Sequence, residues 1–286
     1  MKKKWIAACM AAVCALALVT GCSSETEEPD GIVYDAGEWL IEGTTVWLYK
    51  GTARDVHIPA GVTVIGRRAF DFRNEVVESV TIPAGVTIID DYAFYSCTKL
   101  ASVTIPAGMV MIGMCAFQNC KSLTDVQIPD GVKAIGNSAF YDCGNLTSVT
   151  ISDGVTSIGD WAFWNCASLT DVTIPDGVTE IGRQAFYHCD SFTEVTIPAG
   201  VKTIGDDAFD NCKSLTEVTI PGSVTSIGEY AFSWCNSLET VTYGGTKEEW
   251  ERIKKGSNIF YNIKVSKITD KDGNTFAVNA NGKITD

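Results

Sequence analysis

Seven cysteines stand at 97, 120, 143, 166, 189, 212 and 235, each 23 residues after the last. Disulfide formation, metal binding and redox exchange all need two such sulfurs brought together. Neighbouring turns of a coil lie about 4.8 Å apart, which puts stacked thiols near the range a disulfide bridges. The rest of the pattern favours a quieter role. Seven is odd, Cys115 is an extra thiol in another register, and no C-x-x-C pair marks a zinc site. Each cysteine of the series falls between a Phe and a hydrophobic Leu or Phe, where a small apolar residue packs well. The expectation is a column of reduced thiols inside a core.

Other chemistry is thinner. There are two histidines, His57 and His188, far apart in the repeat, and neither sits in a pattern that would activate a Ser or Cys nucleophile. The acids Asp125, Asp171, Glu194 and Glu217 recur at one position of a strand-like segment. On an open face such carboxylates stay solvated, unlike a paired acid in a pocket. No phosphate loop and no G-x-G-x-x-G is present. Asp270-Lys271-Asp272-Gly273-Asn274 opens like a calcium loop, but Thr275 and Asn281 stand where that loop needs Gly and Glu. An Asp-Gly hairpin turn explains it better. No cofactor and no metal are expected, and the chain reads as a non-enzyme.

Aromatic residues are a stronger lead. Tyr92, Tyr95, Tyr141, Trp161, Trp164, Tyr187 and Tyr230 flank a repeated Ala-Phe pair. Placed along one outer edge, they are the usual material of protein hot spots and of sugar platforms. The plainer alternative is that each ring shields the corner of the next rung. The acid column, beside threonines at 81, 104, 150, 173, 196, 219 and 242, is a second candidate binding face.

These residues are positioned by the period itself. Phe94, Phe117, Phe140, Phe163, Phe186, Phe209 and Phe232 keep the 23-residue step, as do Ile82, Ile105, Ile128, Ile151, Ile174, Ile197 and Ile220. A fixed period of this size means stacked copies of one small unit. In the unit 143–163, Val149 and Ile151 alternate with Ser148 and Thr150, as in a half-buried strand. A proline ends that strand in most units. Asp153-Gly154 then turns the chain, the glycine supplying backbone freedom. Val155 and Ile158 form a second apolar piece, and x-x-Ala-Phe-x-x-Cys is predicted to be a single helical turn. One unit buries about seven apolar side chains at ~1.5–3 kcal/mol each, which does not cover an ordering cost of roughly 1–2 kcal/mol per residue. Stacking must supply the difference, so the stack needs caps.

The pattern C-x-x-L-x-x-V-x-I-P-x-G-V-T-x-I-G-x-x-A-F, over about residues 52–243, resembles the BspA-like (type-5) leucine-rich repeats of bacteria. That resemblance implies a right-handed, mainly β solenoid with a parallel sheet on its inner face. It also implies secreted or surface proteins that bind host or neighbouring-cell molecules. Residues 32–51 are predicted to form an N-terminal cap hairpin, and 244–286 a C-terminal cap. Thr246-Lys247-Glu248-Glu249 reads there as a capping box opening a short helix.

The N-terminus carries an address. Lys2, Lys3 and Lys4 precede an apolar run too short for a comfortable membrane span. Leu18-Val19-Thr20-Gly21-Cys22 resembles a bacterial lipobox, with 1–21 a signal peptide and Cys22 the lipidated N-terminus. Residues 22–31 are then an acidic tether. The chain as a whole carries −13, and −16 once residues 1–21 are removed. Nucleic acid is therefore not a fitting partner. The expected protein is a lipid-anchored, extracytoplasmic and surface-displayed adhesin or recognition module, with a protein or glycan ligand. An envelope scaffold and a glycan-capture protein of an uptake system are the competing readings.

Overall fold

The computed structural model describes residues 33–35, 37–71 and 75–285. Residues 1–21 and 22–31, read above as signal peptide and tether, and Cys22 with them, lie outside the described residues. From Val33 onward the chain forms a single compact unit of stacked rungs.

Each rung gives two strands. The longer, such as Ser148–Ile151, lies parallel to its neighbours one period away: Val149 pairs with Val126 and with Val172. The shorter, such as Ser157–Ile158, does the same, with Ile158 beside Ile135 and Ile181. The short strands join one twelve-stranded sheet that runs from Val33–Asp35 to Lys254–Lys255. The long strands form a second face, in sheets of three, three and five. The Val and Ile that turn inward from both faces, such as Val149, Ile151 and Ile158, are buried.

Between the faces runs a column of phenylalanines. Rings from Phe94 to Phe232 stack at 5.1–5.4 Å between centroids and within 9° of parallel. Tyr49 closes the column against Phe70 at 5.4 Å, and Trp250 closes it against Phe260 at 6.3 Å. Tyr49 belongs to the strand Thr45–Tyr49, which is antiparallel to Trp39–Glu42 and parallel to Val64–Ile65. Trp250 sits on the helix Lys247–Arg252, whose capping box of Thr246 and Glu249 is fully formed. Its indole Nε1 donates to the Gly282 carbonyl at 2.8 Å. Strands Lys267–Thr269 and Thr275–Ala277 then make a hairpin. Its turn is held by the Asp270 carboxylate, which accepts from the amides of Asp272 and Asn274 at 2.9 Å.

The Ala-Phe corner departs from the expected helical turn. The amides of Ala162, Trp164 and Cys166 bond back to the carbonyls of Gly159, Trp161 and Phe163. The intervening amides of Trp161, Phe163 and Asn165 bond forward to Arg183, Ala185 and Tyr187 in the next rung. Trp161 and Asn165 take left-handed φ values of 56° and 54° to achieve this. A helix would direct every amide along its own axis; here half of them must satisfy the neighbouring rung. Short polar residues ease the cost at one of the two positions, as at Ser96, Asn119, Asp142 and Asn211.

The cysteines pack just inside this corner, fully buried. Each thiol from Cys120 to Cys235 donates to the carbonyl of the Phe 26 residues earlier, at 3.1–3.3 Å. Burial raises the thiol of Cys143 to about 12. The thiolate, which is the reactive form, is thereby suppressed.

The turn glycines also have a different reason from the one expected. Of the series from Gly61 to Gly200, Gly61 alone has a left-handed φ, 89°. Gly131, Gly154, Gly177 and Gly200 answer to close approach between rungs, whereas a Cβ at Gly85 would come no nearer than 3.5 Å to the Val62 carbonyl oxygen. A Cβ at Gly154 would lie 1.9 Å from the Asp130 carbonyl oxygen, and one at Gly200 would lie 2.0 Å from that of Asp176. A Cβ at Gly144 would meet nothing within 4 Å. Gly154→Ala should therefore destabilise the stack by about 1–3 kcal/mol, while Gly144→Ala stays within about 0.5 kcal/mol. Urea unfolding of the two variants checks this, and equal midpoints would refute the close-approach account.

Candidate binding surface

The seven aromatic candidates occupy two columns of the corner. Tyr92, Trp161 and Tyr230 precede the alanine and have left-handed φ values of 59°, 56° and 54°. Tyr95, Tyr141, Trp164 and Tyr187 follow the phenylalanine.

In the second column three rings stack on one another. Tyr141 and Trp164 lie 4.3 Å apart and 3° from parallel, and Trp164 and Tyr187 lie 5.7 Å apart at 7°. All three are half-buried. Their broad faces are spent on each other, so they present edges to solvent. A sugar platform needs a free face, which this ladder lacks along its interior. In the first column Trp161 is also engaged. Its Nε1 donates to Gln184 Oε1 at 2.7 Å, and the Arg183 guanidinium lies 5.5 Å from its ring. Tyr92 packs edge-on against Tyr95, with Arg68 4.9 Å over its ring.

Tyr230 differs: it is 37% exposed, with its hydroxyl accepting from the Asn258 amide at 3.2 Å. Close to it in the fold are two rings that the sequence reading missed, Trp234 at 42% and Tyr261 at 45% exposure. They meet edge-to-face at 5.9 Å. Trp234 stands where the other rungs put Ser, Asn, Asp or His. Tyr261 follows Phe260 as the other ladder rings follow their own Phe, but that rung has no cysteine to mark it. Alignment on the Phe column finds both.

On the long-strand face Asp125, Glu194 and Glu217 are exposed, and Glu194 lies in register with Glu217. Ser148 separates Asp125 from the others, and Asp171 is described through its backbone alone. Adjacent like charges repel, so this face is a solvated acidic strip. His57 ends the strand Asp55–His57. His188 lies far along the stack, with Nδ1 3.4 Å from Asp190, which also receives Lys213 at 2.9 Å. Among the described residues no group of three or more His, Cys, Asp or Glu is placed to hold a metal ion.

One acid is not solvated. Asp210 takes the ladder position after Tyr187, is 8% exposed, and has no hydrogen-bond partner for Oδ1. Burial, with nearby Asp207 adding to it, raises its carboxyl from 3.8 to about 7. The folded state therefore favours the protonated form. Below pH about 4 the group costs nothing; the cost grows as pH rises to about 7 and is constant above. At one pKa unit per 1.36 kcal/mol it reaches at most ~4 kcal/mol. Asp210→Asn should be more stable than the parent at pH 8, by a margin that shrinks to nothing near pH 4. Melting curves across that range test it, and a margin independent of pH would contradict it.

Comparison with known proteins agrees with this architecture. The family profile described as the BspA type leucine rich repeat region matches in six copies, over residues 46–170 and 156–280. The crystal structure of a leucine-rich repeat protein from Bacteroides ovatus is similar at 26% identity, with a TM-score of 0.65, covering 84% of this chain and 69% of that one. A leucine rich cell surface protein from Faecalibacterium prausnitzii matches at 23% identity and a TM-score of 0.37, covering 80% and 98% of the two chains. The T. pallidum leucine rich repeat protein TpLRR matches at 23% and 0.47, covering 77% and 86%. Among curated proteins none matches. The repeat spans most of the molecule, and the chain belongs to the BspA-type leucine-rich repeat family.

Proposed function

We propose that this protein is a cell-surface lipoprotein that binds a host or neighbouring-cell protein or glycan without catalysis. It is held to the membrane through a diacylglyceryl group on Cys22. The family supports a repeat-based recognition module outside the cytoplasm. The lipobox-like residues 18–22 and the acidic tether support the anchor. The observation that carries the binding role is the exposure of Tyr230, Trp234 and Tyr261 at one end of a corner whose other rings are packed away. Aromatic side chains held rigid and left in water are favoured contact residues at interfaces. The acidic strip at Glu194 and Glu217 gives the same partner a second, weaker contact, and repeated weak contacts add when geometry lets them engage together.

Two measurements test this. Protease treatment of intact cells should remove the ectodomain, and a Cys22→Ala chain should leave the membrane fraction; full protection from protease overturns surface display. On a ligand taken from a glycan and matrix-protein array, Trp234→Ala with Tyr261→Ala should weaken binding tenfold or more, about 1.4 kcal/mol, with little change in melting. Trp164→Ala should instead lower stability by about 1–3 kcal/mol, because it breaks the ladder. Unchanged binding by the double variant refutes the aromatic site.

A further inference from the structure

The C-terminal cap inverts the charge of the molecule. The whole chain carries −13, yet its last forty residues hold eight Lys and Arg against six Asp and Glu. Within that cap lies an open basin of about 230 Å³ lined by Lys255, Gly256, Ser257, Asn281 and Lys283. This is smaller than the ~300–1,000 Å³ typical of drug-sized ligands and suits one compact group.

Lys255 is the centre of the argument. It is half-buried at the edge of the twelve-stranded sheet. Its ammonium donates to the carbonyl of Trp250 and to that of Ile253 at 3.2 Å, and lies 5.0 Å from the Trp250 ring. Those contacts fix the charge in place and use two of its three N–H groups. Desolvation lowers it to about 8, opposed by the charge of Glu251. Asn281 accepts from the Asn258 amide through Oδ1 at 2.7 Å, which leaves its NH₂ group as a donor. Lys283 is exposed on the rim. Glu229 also adjoins the basin, its carboxylate accepting from the Ser257 hydroxyl at 3.1 Å. The site thus combines one fixed cation, one exposed cation and an amide, partly screened by Glu229 and Glu251.

We infer that this basin binds a compact oxyanion, a carboxylate, phosphate or sulfate borne on a unit about the size of one sugar. The site adjoins Tyr230, whose amide donates to the Ser257 carbonyl at 3.0 Å, but it uses none of the exposed rings and does not depend on the lipid anchor.

The test is a titration of the purified protein with inorganic phosphate, sulfate and glucuronate at constant ionic strength, read by NMR at the Lys255 side chain. A saturable shift is expected for at least one of them, and the Lys255 titration midpoint should move upward when that anion is bound. Lys283→Ser should weaken the response several-fold without moving the melting temperature. Lys255→Met should abolish it; if that variant does not fold, Lys283→Ser still decides. The anion with the tightest response names the group. Responses that stay linear and match chloride for all three, or a Lys283→Ser protein that responds like the parent, overturn the site.

Discussion

The structure rests on one demand: a rung cannot satisfy its own backbone. In both strands, and at alternate amides of the Ala-Phe corner, the backbone points along the stack and needs a partner one rung away. That fixes the spacing between rungs. Everything inside then inherits the same spacing: the parallel phenylalanine rings, the thiols directed at carbonyls, the glycines pressed against the previous turn. A rung alone would leave these groups unmet, so the ends are finished with different chemistry. At one end an antiparallel pair brings Trp39 and Tyr49 over the last ring. At the other a capped helix brings Trp250.

The outside is freer. Side chains that point to solvent face no such demand, and the rungs differ most there. Three aromatic positions became a closed ladder, one became a buried acid, and the last became exposed rings. The long-strand face carries acids and the C-terminal cap carries lysines. A stack of this kind offers separate faces of different chemistry on one support, as suits a repeat-based recognition module.

Much of the fold was legible in the sequence, because the period is written in regularly spaced apolar residues. Phe, Cys, Leu, Val and Ile recur at fixed offsets, and Thr246 with Glu249 marked the helix start. What escaped was backbone detail. Nothing in Ala-Phe-x-x-Cys distinguishes a helical turn from alternating bonds to the next rung; Asn165 and Asp142 hinted at left-handed backbone, but Trp161 did not. The short strand Ser157–Ile158 is two residues long, below what alternation can reveal, yet it belongs to the largest sheet. For the surface, residue type placed the aromatics but not their faces. Tyr141, Trp164 and Tyr187 read like Tyr230, and the distinction between stacked and free rings depends on which residue the next rung supplies.

The uniform register has a further consequence. Val149 faces Val126 and Val172, and the paired strands between Ser79 and Ile227 keep that 23-residue correspondence. Excising or duplicating one whole 23-residue period would therefore rejoin like core neighbours, with each phenylalanine and thiol meeting its usual counterpart. Losing part of a period would misalign them all. A gene encoding such a chain can lengthen or shorten by recombination between its own repeats and still specify a folded stack, so length becomes a heritable variable independent of the side chains that each rung presents.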